Sequence, residues 1–238
     1  MIVLVAAAVC PNPPLLVPEL AAGAAAELDE LRAACLTAID AVALAAPELL
    51  VVVGAGESTR RYEPGSTGSF APYGVAVEVS LPGAAATVPS VLPLPLAVGA
   101  WLLQRIGWPG RVVGQLVAEA ARAEECAALG AALAEEADRV ALLVMGDGSA
   151  CRTDQGPRPY DARADQFDAG VVQAFQSADP AALLGLDAAL ATTLAASGRP
   201  AWQVLGGAAG EAALDAEVLY DRAPYGVGYI VAIWERHG

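Results

Sequence analysis

Val140–Arg152, VALLVMGDGSACR, decides the architecture: an unbroken apolar run gives way to a carboxylate set between two glycines. A strand that is apolar at every position is covered on both faces, which is the habit of parallel sheets rather than of sheets with one side in water. Two other runs read the same way. Ile2–Val9 is closed by Pro11, Pro13 and Pro14, and Leu49–Val53 opens into the glycine-rich GAGES of Gly54–Ser58. Between them, Leu20, Leu28, Leu31, Cys35, Ile39 and Val42 recur at helical spacing and predict a helix over 18–45. Further helices are expected over 93–105, 116–137, 162–176, 180–185 and 187–196. Shorter strands are expected over 75–79, 111–113, 201–205, 218–220 and 227–234. Strands alternating with helices predict one α/β domain over 1–238, a three-layer αβα sandwich around a mostly buried central sheet.

Composition narrows the chemistry. The formal charge of −14 argues against nucleic acid or an anionic membrane surface as partner, because both select clustered positive charge. All 13 basic residues are arginines, so neither a Schiff-base lysine nor a phosphate loop ending in lysine is available. Cys10, Cys35, Cys126 and Cys151 are widely spaced without a CxxC pair and read as separate thiols of a cytoplasmic protein. The opening MIVLVAAAVC has no basic leader and reads as a buried strand rather than a signal, and no stretch reaches the roughly 18 apolar residues of a membrane span. The one histidine is His237, next to the last residue, so a Ser-His-Asp relay is not expected.

In open α/β sheets, ligands collect beyond the carboxyl ends of the strands. There the sequence offers Asn12 after the first strand, Glu57 after the second, and Asp147, Ser149 and Arg152 after VALLVM. These five form the candidate pocket if the three strands share a sheet edge. Asp147 either caps local backbone or faces a ligand. Arg60 and Arg61 read as surface charge. Asp161, Asp165 and Asp168 lie at helical spacing and read as a solvated acidic face. Trp202, Tyr225, Tyr229 and Trp234 read as core or sheet aromatics. The excursion over 54–74 is long and polar, as functional loops often are.

Taken in order, CPNPPLLVPEL, LLVVVGAGES, ALLVMGDGSACR, DARADQFDAGVVQAF and APYGVGYIVAIW resemble segments of the class III extradiol ring-cleavage dioxygenases, in particular their subunit-B-like members. The resemblance spans nearly the whole chain. It implies an α/β three-layer fold whose strand ends hold non-haem Fe(II) through two histidines and a glutamate, with a further histidine as acid–base. Carried over residue by residue, the first metal histidine falls at Asn12, the second near Gly54–Gly56, the glutamate near Ala196–Gly198 and the acid–base histidine at Ala150. Gly146, Asp147 and Ser149 are retained around that last position. Fe(II) oxygenases use two imidazoles and a carboxylate with open positions, and an asparagine amide is a poor substitute.

The sequence is therefore expected to specify a catalytically degenerate, metal-free member of that fold, acting as a binding, regulatory or structural protein. The alternative is an oxidoreductase, or another small-molecule enzyme, with a pocket remodelled around Asn12, Glu57 and Asp147. A small polar or aromatic ligand and a homo-oligomer fit either reading. No metal and no cofactor are expected.

Overall fold

The first apolar run forms β1 (Val3–Cys10) in the computed structural model, which describes residues 3–84 and 90–236. Ile2 and His237 lie outside the described residues. After β1 the chain makes a short turn of 3-10 helix and then α1 (Pro18–Ala21), a 3-10 stretch over Ala22–Leu28, and α2 (Asp29–Leu44). The single helix expected over 18–45 is thus broken. Leu28 and Leu31 are still buried, so the apolar spacing holds across the break while the hydrogen-bond pattern changes.

Next come β2 (Leu49–Gly56), the short β3 (Arg60–Tyr62), a small hairpin of β4 (Thr67–Ser69) and β5 (Glu78–Ser80), and α3 (Leu94–Ile106). β6 (Arg111–Ala118), α4 (Ala123–Ala134), β7 (Arg139–Met145) and α5 (Arg163–Gln176) follow. The chain ends through α6 (Pro180–Leu184), α7 (Ala188–Thr193), α8 (Arg199–Ala209), β8 (Leu214–Arg222) and β9 (Tyr229–Arg236).

Two expectations are corrected here. The helix expected over 116–137 starts later, because Leu116–Ala118 continue β6 and pair with Gly54–Gly56 of β2. The helix begins where the Glu125 carboxylate accepts the Arg122 backbone N–H at 2.9 Å and satisfies one orphan donor of the first turn. The strand expected over 201–205 lies inside α8. That helix is buried on nearly every side, so its apolar run carries no periodicity to separate it from a strand.

Seven strands form one sheet in the order β3-β6-β2-β7-β1-β9-β8. β6, β2, β7 and β1 run parallel, while β3 and the β9–β8 pair are antiparallel. Side chains alternate between two apolar clusters. Leu50, Val52, Ala141, Leu143 and Met145 face α2 and α3, whereas Val51, Val53, Leu142 and Val144 face α4, α5 and α8. The fold is mixed α/β with a largely buried central sheet and helices on both faces. A register shift between Leu4 and Ala6 keeps Val5 and Ala6 on one side.

α4 and α8 touch backbone to backbone. A Cβ on Gly207 would lie 2.2 Å from the Ala127 carbonyl oxygen, and one on Gly130 would lie 2.0 Å from that of Val204. Neither helix can yield without losing core contacts, so Gly207→Ala is expected to destabilise the protein by about 2 kcal/mol in urea unfolding, as overpacking does. A variant as stable as the parent would show that the helices slide apart freely.

Candidate functional site

The four parallel strands deliver their carboxyl ends to one edge of the sheet, so the loops after Cys10, Gly56, Ala118 and Met145 emerge together. Two of the expected residues meet there directly. The Asn12 backbone N–H donates to Asp147 Oδ1 at 2.8 Å. Asp147 also joins a third segment: its carbonyl accepts the Gly198 N–H at 2.9 Å, and its own N–H reaches Ser197 Oγ at 3.4 Å. Asp147 therefore bridges the exits of β1 and β7 and the turn before α8, instead of capping its own loop.

Burial pushes the Asp147 carboxyl up to about 6, and the Asn12 N–H only partly offsets this. No guanidinium contributes to its environment. Across from it stands Tyr229, the first residue of β9. Continuing the β1–β9 register beyond Val9–Ala232 sets Tyr229 level with Asn12. Burial and the Asp147 charge together push the Tyr229 hydroxyl well above the usual phenol range.

Three polar ends at this point have no partner among the described residues. The Asn12 carboxamide and the Tyr229 hydroxyl belong to residues only 8% and 3% exposed, and neither makes a side-chain hydrogen bond. The second Asp147 oxygen likewise accepts no hydrogen bond from a described residue. Among the described residues, the fully enclosed polar side-chain atoms left without a partner are the Trp108 and Trp202 indole nitrogens. The Asn12, Asp147 and Tyr229 groups are thus not sealed in; they open onto accessible space.

The other expected residues do different work. Ser149 is fully buried: its N–H donates to Asp168 Oδ1 at 2.8 Å, its hydroxyl donates to the Leu194 carbonyl, and its oxygen accepts the Cys151 N–H. Its hydroxyl proton is thus held by a carbonyl rather than by a base, and the side chain is buried away from a ligand. Arg152 donates to Asp168 at 2.8 Å and pairs with Asp165 at 2.6 Å, so its charge is held inside the scaffold. Glu57 is exposed, and its carboxylate makes no hydrogen bond or ion pair with another described residue; it does not join the Asn12–Asp147 group. The solvated acidic face expected from Asp161, Asp165 and Asp168 is corrected as well. Asp168 is 1% exposed and lies on the buried stripe of α5 with Ala164, Val171 and Phe175. Arg60 stacks over Tyr62 and Arg61 pairs with Glu136, both away from a ligand role.

A separate cleft of about 250 Å3 opens between Glu119, Thr192, Ser197 and Arg199. Asn12, Asp147 and Tyr229 do not line it. Its one cation, Arg199, is buried and bonded to the carbonyls of Glu119 and Ala121 and to Gln203 Oε1, so it has little left to offer an anion.

The donors at this edge do not fit Fe(II). Asn12, Gly54–Gly56, Ala150 and Ala196–Gly198 contain no imidazole and no carboxylate, and the Ala150 N–H is tied to the Leu194 carbonyl. Among the described residues, no three of His, Cys, Asp or Glu gather into a metal-binding group. Within the Asn12–Asp147–Tyr229 group, Asp147 is the one carboxylate, short of what a hard or borderline cation requires.

Tyr229, read from the sequence as a core or sheet aromatic, and Ser197, which the sequence did not single out, also stand at this edge. The available signal was Tyr229 directly after Gly228 at the start of an apolar run, a place where a side chain stands at a strand mouth. No described helix is long and apolar enough to cross a membrane. No family model and no curated protein matches the chain. Among solved structures, it is similar to the crystal structure of the uncharacterized protein JW3007 from Escherichia coli K12, at 13% identity and a TM-score of 0.56, over 97% of this chain and 99% of that one. At that identity, the likeness establishes the mixed α/β fold and nothing finer.

Proposed function

We propose that this chain is a metal-independent relative of the class III extradiol dioxygenases, kept as a small-molecule-binding protein. The ordered segments from CPNPPLLVPEL to APYGVGYIVAIW support the relationship, and the donor types at the inherited metal positions support the loss of iron chemistry. The observation that carries the binding role is the Asn12–Asp147 hydrogen bond at the carboxyl edge, with Tyr229 at the same strand mouth and polar ends that no described residue partners. Polar ends that open onto accessible space at a strand mouth without a protein partner are free to meet a ligand.

The test is to load the purified chain with Fe(II) under anaerobic conditions, desalt it, and supply catechol and O₂. Retained iron is expected to fall far below one per chain, with no ring-opened product. Stoichiometric iron together with ring cleavage would overturn the reading. A second reading is favoured by the Asp147 carboxyl at about 6: an acid or base with that value works near neutral pH. Under that reading the site turns its ligand over, and Asp147→Asn abolishes turnover while leaving the fold intact.

A further inference from the structure

We infer that the Asn12–Asp147–Tyr229 site receives the ammonium end of a small organic amine, an inference that rests on the binding role proposed above. At neutral pH the Asp147 carboxylate is ionised and only partly exposed, yet its side chain's one partner among the described residues is a neutral backbone N–H. A buried charge is normally compensated by an opposite charge nearby. The arginines that might supply one are engaged elsewhere: Arg152 by Asp165 and Asp168, and Arg199 by backbone carbonyls and Gln203. The chain contains no lysine and carries a net charge of −14, so a cationic ligand would supply the positive charge that its own side chains do not.

The surrounding groups suit an ammonium ion. Three N–H donors would meet the free Asp147 oxygen, the Asn12 carboxamide oxygen and the Tyr229 hydroxyl oxygen, all of which accept. A carboxylate or phosphate would face Asp147 with like charge and no cation to offset it. A metal ion would find a single carboxylate where divalent ions take several oxygen ligands.

The test uses three compounds that share one ring and differ in the head group: benzylamine, benzyl alcohol and benzoate. Each is titrated near neutral pH into the full chain labelled with 15N, following the backbone amides of Asn12, Asp147 and Tyr229. Benzylamine is expected to shift these amides saturably and to bind about tenfold more tightly than benzyl alcohol, with benzoate weaker still. In Asp147→Asn the amine and the alcohol are expected to come within about twofold of each other. Benzyl alcohol or benzoate binding as tightly as the amine in the parent chain would overturn the ammonium assignment and leave the binding role standing. Calcium shifting the same amides and displacing benzylamine would overturn it in favour of a metal. If none of the three compounds moves these amides, both the assignment and the binding role fail.

Discussion

Asp168→Ala is expected to cost about 3–5 kcal/mol of unfolding free energy, the range for removing one member of a buried ion pair. Asp168 projects from α5 into the junction of two loops. One carboxylate oxygen accepts the Ser149 N–H at 2.8 Å and the other accepts Arg152 Nη1 at 2.8 Å. Around it the loop after β7 is laced to the segment before β9: Gly148 N–H donates to the Gly228 carbonyl at 2.7 Å, and Gly228 N–H donates to the Ser149 carbonyl at 2.8 Å. The fit leaves no spare room, since a Cβ on Gly228 would lie 2.2 Å from Asp168 Oδ2.

Burial pushes the Asp168 carboxyl up, and the Ser149 N–H and Arg152 guanidinium pull it back. The net balance of an intact pair is small, as is usual for buried pairs. The cost of breaking it is not, because alanine leaves a buried N–H and a guanidinium facing a cavity. Arg152 keeps Asp165, but that carboxylate is more than half exposed and screened by water. Asp168→Asn retains an acceptor for one donor and is expected to fall between alanine and the parent. Urea unfolding of the three proteins checks the order. An alanine variant within about 1 kcal/mol of the parent would mean that water replaces the carboxylate at little cost. Because Ser149 and Gly228 flank Asp147 and Tyr229, the loss should also loosen the candidate site.

The sequence carried the sheet well and the site in part. β1, β2 and β7 are legible because a strand buried on both faces is apolar at each position, a local property. The meeting of Asn12 with Asp147 was legible for the same reason, since parallel strands must bring their carboxyl ends to one edge. Asp168 was harder. Its spacing to Asp161 and Asp165 fits one helical stripe, while its spacing to Ala164, Val171 and Phe175 fits another. What buries it is the loop after β7 and the segment before β9, and those contacts span 16 to 60 positions of chain that periodicity does not see. Tyr229 is a similar case. As an aromatic at the head of an apolar strand it packs like core, and its hydroxyl gains significance only from Asp147 across the strand mouth. Ser149 and Arg152 have the residue types of a site, but their bonds tie them to Leu194, Cys151, Asp165 and Asp168 within the scaffold.

Asp147→Asn is expected to make the protein more stable at neutral pH, by up to about 3 kcal/mol. The folded-state carboxyl sits at about 6, above the ordinary aspartate value of about 3.9, so the folded chain holds this proton more tightly than the unfolded chain does. The contribution is fully present below pH ~4 and is lost as the pH rises through about 6, where the folded state must carry the desolvated charge. Asparagine cannot ionise, yet it keeps an oxygen for the Asn12 N–H. The two proteins should therefore have similar stability near pH 4 and diverge between pH ~4 and ~6, with the variant ahead and the gap constant above that. Nearby phenols do not confuse the window, because Tyr220, Tyr225 and Tyr229 are all raised further above the ordinary phenol value. Partial exposure of Asp147 lets water take up some of the cost, so the observed gain should lie nearer 1–2 than 3 kcal/mol. Urea unfolding across that range reads it directly, and parallel curves for the two proteins would show the carboxyl to be well hydrated. Benzylamine should narrow the gap by stabilising the parent chain more than the variant, since a ligand raises stability according to its occupancy of the folded state.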